Sequence, residues 1–375
     1  MRVRQINLQR HFGGGEVYTA FLCKALDQLG VATDLYIHEH AGFWEKLALP
    51  ESTRLFPSPS LQTLESEIKP TPSWFLGHGP LPQNLCEKIH HAGGIATAIA
   101  HMPVQGRNPN AFQNHDQVFG VSQWVVDGLL ATGLPAWPTP LYGVANLERA
   151  RQNAPLIRHS RYDWDLRKGR DRLFSWIEPW VDPWLPHPPF ERHHGLTLGI
   201  VSRITPIKQF PLLFEHLSPT MAQFPDIQLE IFGSGGYGSI RDLTQALRPM
   251  RDQVRFWGHQ SDVASVYQGI DYLLTGLPEK EALGLNVIEA QACGTPVLAP
   301  AAPPFTETII DGATGFLYRD PREDAGADFK HLIEQLLSMV HPPDPRASQV
   351  HLDRFSLAAF VARLRPVVEW AYARE

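Results

Sequence analysis

PEKEALGLNVIEAQACGTPV, residues 278 to 297, is the densest run of chemistry in this chain of 375 residues. Glu281 and Glu289 stand eight residues apart, Gly284 interrupts the chain between them, and Gly294-Thr295-Pro296 closes the run. That pattern predicts a helix that starts near Leu285 or Asn286 and stops at Gly294. Eight helical residues span roughly 12 Å, so the two carboxylates are too far apart to share one proton as a close dyad. They suit the two ends of an extended ligand instead. The helix N-terminus between them offers unpaired N–H groups, and the glycine permits close approach, which suits a diphosphate. The competing reading is a helix with two solvated glutamates, against which the glycine and the Gly-Thr-Pro stop weigh.

Outward from this run, short apolar segments alternate with helix-length amphipathic ones, the pattern of βα units and a mainly parallel sheet. One series holds strand candidates Val3 to Leu8, Thr33 to Ile37, Trp74 to Leu76, Ile95 to Ile99 and Gln117 to Gly120. Its helices run around Val17 to Leu29 and from an N-cap at Ser122 to Ala131. A second series holds Leu196 to Ser202, Gln228 to Phe232, Val254 to Trp257, Tyr272 to Thr275, Val297 to Ala299 and Gly315 to Tyr318. Two doubly wound domains are expected, with ligand at the carboxyl ends of their strands and in the cleft between them. The expected division is 1–145, a connector or insertion at 146–195, 196–353, and a terminal helix within 354–375 that returns to the first domain.

Bulk properties exclude several classes. A net charge of -6 and a pI near 6.3 argue against a general nucleic-acid binder. No uncharged apolar stretch approaches the roughly 20 residues that span a bilayer, and the first residues lack the apolar run of a signal peptide, so a cytoplasmic location is expected. Cys23, Cys86 and Cys293 are scattered and odd in number, which indicates neither a disulfide framework nor a structural zinc site. The histidine pairs His90-His91 and His193-His194 lack zinc-hydrolase spacing, and no metal is expected.

The segment from Glu281 to Glu289 resembles the E-x7-E signature of the retaining glycosyltransferases of family 4, and the flanking EAQACGTPV is similar to that family as well. The likeness extends to VSRITPIK, residues 201 to 208, where the family holds the donor diphosphate with an Arg and a Lys. Arg203 and Lys208 after a strand fit that task, one as a planar fork and one as a point charge. The resemblance implies a GT-B fold, an α/β architecture of two Rossmann-like, doubly wound domains facing across a cleft. It also implies transfer of a sugar from a nucleoside diphosphate sugar, a UDP-sugar, to an acceptor hydroxyl with retention, in cell-envelope glycan, glycolipid or polysaccharide synthesis. A nucleotide-sugar 2-epimerase of the same fold and a non-catalytic nucleotide-sugar-binding protein are the alternatives.

In this scheme Arg203, Lys208 and the helix N-terminus, with Ala282, Leu283, Gly284 and Leu285, neutralise the leaving diphosphate without a metal or other cofactor. Glu281 holds the donor sugar and Glu289 the ribose. Gly14 and Gly15, after the first strand, are similar to the family's N-terminal glycine loop, which approaches the donor phosphate and the acceptor, so the resemblance implies donor binding there; His101, after the strand ending at Ile99, is similar to a His that lines the family's reaction centre. The family often has Asp after that His, where this chain has Met102. GSGGYG, residues 233 to 238, fits a dinucleotide fingerprint, but it lies in the second βα unit of its domain; Gly233 and Gly235 match the family's Gly-x-Gly beside the nucleotide. Gly258 and His259 match the turn that reads the base through backbone groups.

The connector has no counterpart in the resemblance. Arg149, Arg151, Arg158, Arg161, Arg167, Lys168, Arg170 and Arg172 face only Glu148, Asp163, Asp165 and Asp171 there. Asp163-Trp164-Asp165 imitates a metal-binding D-x-D but reads better as solvated charge, since no strand precedes it. Proline is 33 of 375 residues, above the usual share of about 5%, and Trp176, Trp180 and Trp184 lie among Pro179 and Pro183. Repeated proline predicts an irregular segment packed on its own aromatics. The alternative is that residues 149–184 touch a glycan or lipid-linked acceptor or the anionic inner membrane surface.

Overall fold

The computed structural model describes residues 2–68, 71–104, 106–144, 155–164, 168–181 and 189–374. Its strands are β1 Arg2–Asn7, β2 Ala32–His38, β3 Thr53–Ser58, β4 Trp74–Gly77, β5 Ile95–Ala100 and β6 Gln117–Gly120 in one sheet. The other sheet has β7 Leu196–Val201, β8 Ile227–Phe232, β9 Val254–Gly258, β10 Tyr272–Leu274, β11 Val297–Pro300 and β12 Gly315–Tyr318. Every pairing between these strands is parallel. The strand orders are β3-β2-β1-β4-β5-β6 and β12-β11-β10-β7-β8-β9. Counted within its own unit, each is the 3-2-1-4-5-6 order of a doubly wound Rossmann sheet, so the winding reverses between β1 and β4 and between β7 and β10. The chain divides accordingly into Met1–Ala145 with Asp353–Glu375, and Asn146–Leu352.

Helices cover both faces of such sheets, which is why central strands read as unbroken apolar runs. All six residues of β7 and of β8 are buried. Gly199 in β7 leaves room for Ile270, whose side chain would lie 2.4 Å from an added Cβ. In the first unit Ser122 caps the helix Gln123–Ala131, its Oγ accepting from the Val125 N–H at 3.2 Å. The helix Leu357–Tyr372 is capped by Ser356 and lays Phe360 edge-on against Tyr18 of the helix Gly14–Gln28, with ring centroids 5.5 Å apart.

Four expectations need correction. The edge strand β3 is absent from the sequence reading; its TRLFPS lacks a clean alternation and carries Pro57, which an edge position tolerates. The Trp/Pro segment is not irregular up to Val181, because a helix runs from Gly169 to Val181 through Pro179. A proline in the last helical turn removes one backbone hydrogen bond, too little to dissolve the turns before it. Nor are Trp176 and Trp180 packed: they are 67% and 71% exposed. Trp184, Asp165, Arg149, Arg151 and Arg167 lie outside the described residues. Asp163 is bonded rather than merely solvated, accepting from Ser234 Oγ at 2.9 Å.

Candidate active site

In doubly wound sheets ligands bind beyond the carboxyl ends of the strands where the winding reverses. In the second unit that place is bounded by the turn after β7 and the loop after β10. The first carries Arg203 and, on a short 3-10 turn Pro206–Lys208, Lys208. The second carries Gly276 to Gly284 and leads into the helix Leu285–Ala292. The two meet through their backbones at Gly276, where an added Cβ would stand 2.2 Å from the Lys208 carbonyl oxygen.

They meet through side chains as well. Lys208 Nζ is hydrogen-bonded and ion-paired to Glu281 Oε2, with the two side chains 26% and 17% exposed. The backbone N–H groups of Ala282 and Gly284 donate to Glu281 Oε1 at 3.3 and 3.2 Å. Burial works to raise the Glu281 carboxyl, but the Lys208 charge and these hydrogen bonds outweigh it and hold it below the usual carboxylate range. Gly284 is the N-cap of the following helix in a left-handed conformation, φ 80°, which favours glycine at that corner. Asn286 Nδ2 donates to the Val201 carbonyl at 3.3 Å, tying the helix start to the end of β7. Glu289, one turn on and half-buried, accepts from Tyr267 Oη at 3.3 Å. Arg203 is exposed, Ala282 and Leu283 are buried, and Leu285 is half-buried.

The glycines after β8 and β9 serve close backbone approaches. Added Cβ atoms would lie 2.0 Å from the Ser202 carbonyl at Gly233, 2.2 Å from that of Ile204 at Gly235, and 2.4 Å from that of Ser160 at Gly258. The Gly235 N–H donates to Arg161 O at 3.0 Å, and its own carbonyl accepts from the Asp163 N–H at 2.8 Å. Both Gly235 backbone groups are therefore engaged by the connector. Neighbouring His259 is exposed.

The first unit has its own polar cluster at the β1/β4 reversal. Gly14 opens the helix Gly14–Gln28, and an added Cβ at Gly15 would meet nothing within 4 Å, so packing does not require that glycine. Thr19 Oγ1 donates to the Gly15 carbonyl at 2.8 Å and accepts from Asn7 Nδ2 at 3.0 Å. His101, after β5, lies 3.0 Å by Nε2 from Nδ1 of His78, whose Nε2 is 2.9 Å from Gln5 Oε1. The Gln5 oxygen only accepts, so His78 carries its proton on Nε2 and receives the His101 Nε2–H at Nδ1. Burial lowers the His101 imidazole to about 4; burial and then His101 push His78 well below its usual value. Both rings are neutral at pH 7.

The sequence reading misses the direct Lys208–Glu281 pair, Tyr267 behind Glu289, and His78. The last had a signal: it follows β4 as His101 follows β5, at the very reversal that the strand order creates. Arg322 also escapes it, bridging Glu279 of the site loop to Asp320.

Solved structures share this architecture. Anabaena Alr3699/HepE, in complex with UDP and glucose, superposes with a TM-score of 0.68 at 15% identity, covering 98% of this chain and 99% of that one. Sucrose-phosphate synthase from Thermosynechococcus elongatus does so at 0.68 and 17% identity, with both chains fully covered. The fold is GT-B. Within it, residues 189–345 match the family of glycosyl transferases group 1. A D-inositol 3-phosphate glycosyltransferase of Mycobacterium sp. (strain KMS) is 34% identical over 167 residues, 42% of this chain and 36% of that protein. A GDP-mannose-dependent monoacylated alpha-(1-6)-phosphatidylinositol monomannoside mannosyltransferase of Corynebacterium glutamicum is 31% identical over 155 residues, 39% and 38% of the two. The chain thus spans little more than a third of the length of these curated relatives. No helix among the described residues is long and apolar enough to cross a membrane.

Proposed function

We propose that this GT-B protein is a retaining glycosyltransferase of the family 4 type that transfers a hexose from a UDP-sugar to an acceptor hydroxyl. The observation that carries the reading is the closed Lys208–Glu281 pair at the β7/β10 reversal, beside the Gly284 helix N-terminus. Lys208 and Arg203 neutralise the diphosphate, and the helix N-terminus adds N–H donors where negative charge develops. Glu281, held ionised, accepts hydrogen bonds from donor-sugar hydroxyls; Glu289, set by Tyr267, accepts them from the ribose. The bond from the anomeric carbon to the diphosphate oxygen breaks as the acceptor oxygen bonds on the same face, and the acceptor proton passes to the departing phosphate. No metal or cofactor enters this scheme. In this reading Gly14 and Gly15 belong to donor binding and His101 to the catalytic residues.

UDP in Alr3699/HepE supports the choice of nucleotide, and the phosphatidylinositol acceptor named for the Corynebacterium relative supports a lipid-linked or glycan acceptor of the cell envelope. Three cysteines scattered along the sequence, an odd number, support a cytoplasmic location. The test is a thermal-shift panel of UDP- and GDP-sugars, followed by mass spectrometry of products formed with envelope lipids and glycans. Alanine at Arg203, Lys208 or Glu281 lowers turnover at least about a hundredfold while the fold persists. Normal transfer by all three variants refutes the assignment, a GDP-sugar as the one productive donor refutes the nucleotide, and isomerised donor without acceptor identifies an epimerase.

A further inference from the structure

The connector helix Gly169–Val181 presents a face that nothing among the described residues covers. Leu173, Trp176 and Trp180 fall on one side at i, i+3 and i+7, with exposures of 54%, 67% and 71%; Phe174 beside them is 42% exposed. Trp176 and Trp180 are the only exposed tryptophans among the described residues. Such a face costs solubility unless it has a use.

A ring stack joins this helix to a second feature. Phe174 stacks on Trp164 at 5.7 Å, Trp164 on Tyr162 at 4.6 Å and Tyr162 on Tyr237 at 6.1 Å, with Arg170 of the same helix 4.1 Å over the Tyr237 ring. Arg161, packed over Tyr162 and Phe256, then opens a cavity of about 290 Å³ lined also by Arg158, Arg251 and Arg255, with Leu247 and Phe256 as its apolar floor. Four guanidinium groups line it. Glu230 is fully buried and bound by Arg255, and Asp252, 3.4 Å from Arg251, is 89% exposed. Arg172 and Lys168 add exposed charge at the start of the helix, while Asp171 is buried against Arg170.

From this juxtaposition we infer that the connector helix and the adjoining arginine cavity form a docking surface for an anionic lipid bilayer. The tryptophans enter the interfacial region, where amphipathic rings reside, and the cavity takes a phosphate-bearing headgroup on planar donors. Helix length agrees: thirteen residues make about 20 Å, enough to lie in the plane of a bilayer and too short to cross it. The proposal does not rest on the glycosyltransferase reading, since the surface shares no residue with the Lys208–Glu281 site.

Cosedimentation with vesicles of phosphatidylcholine, alone or with about a third phosphatidylglycerol, tests it. The expected result is binding to the anionic vesicles only, weakened as salt rises. Trp176→Ser with Trp180→Ser abolishes that binding. Arg158→Gln with Arg251→Gln lowers it about 25-fold, near fivefold per charge removed. All four positions are exposed, so melting temperatures and transfer to a soluble acceptor stay at wild-type values, which separates failure here from failure of the assigned activity. Equal binding to neutral vesicles, no binding to anionic ones, or undiminished binding by either pair of variants overturns the proposal. So does a wild-type dimer in light scattering that the tryptophan variants convert to monomer, since the face would then belong to a second copy.

Discussion

Removing the Lys208 ammonium from Glu281 puts the site geometry to a thermodynamic test that needs no substrate. With side chains 26% and 17% exposed, the pair lies between surface ion pairs, worth about 0–1 kcal/mol, and fully buried ones, where loss of one partner costs about 3–5 kcal/mol. Lys208→Met should therefore cost about 2–3 kcal/mol. Glu281→Gln should cost about 1–2 kcal/mol, because the amide oxygen still accepts from the Ala282 and Gly284 N–H groups while the lysine loses its counter-charge. The double variant should fall short of the sum by about 1–2 kcal/mol, the coupling expected of residues in direct contact. Each kcal/mol should move the melting midpoint of a unit this size by about 2–4 °C.

The pH dependence has a definite sign. Glu281 in the folded protein titrates below its ordinary 4.5, so its stabilisation is present above that pH and is lost as pH falls through the folded value. In Lys208→Met burial still raises the carboxyl and the cation no longer opposes it. The carboxylate then destabilises the fold at neutral pH, and protonation relieves it. The stability gap between wild type and Lys208→Met is widest near pH 7 and closes below about 4.5, whereas the gap between Glu281→Gln and the double variant stays flat. Chemical denaturation at several pH values measures both. An additive cycle, or a wild-type gap unchanged between neutral and acid pH, refutes the pairing.

Two further substitutions probe neighbouring claims. Gly276→Ala places a Cβ 2.2 Å from the Lys208 carbonyl oxygen and must displace the Pro206–Lys208 turn; a loss of about 1–3 kcal/mol and weaker UDP binding by calorimetry are expected, and wild-type values for both contradict the close approach. For His101, a folded value of about 4 against 6.5 unfolded means that stability is held above pH 6.5 and lost as pH falls toward 4, by about 3 kcal/mol in all; His101→Gln should flatten that part of the profile, and parallel profiles would contradict the neutral pair.

Composition led furthest astray in the connector. A proline count treats every position alike, but Pro179 falls in the last turn of the helix Gly169–Val181, where one lost carbonyl partner is inexpensive. Nor does an aromatic count reveal which rings pack: Trp164 stacks within the ring ladder, whereas Trp176 and Trp180, about two and three turns into the helix Gly169–Val181, are exposed. Elsewhere local pattern sufficed. Unbroken apolar runs reveal strands buried on both faces, the serine at 122 reveals its cap, and Gly284 reveals the corner before Leu285 because only a few residue types tolerate that backbone.

The contacts that make the site are legible only at a second level. Lys208 and Glu281 are 73 positions apart, a separation that carries no information until strand order is known. Once two doubly wound sheets are inferred from the βα alternation, the 3-2-1-4-5-6 order makes the first and fourth strands of each unit neighbours. In the second unit that rule brings the turn holding Arg203 and Lys208 against the loop holding Glu281. Applied to the first unit, it brings the Gly13-Gly14-Gly15 loop after β1 against the residue after β4, which is His78. Its neutral ring, fixed by Gln5 and fixing His101, follows from the same topology that set the lysine against the glutamate.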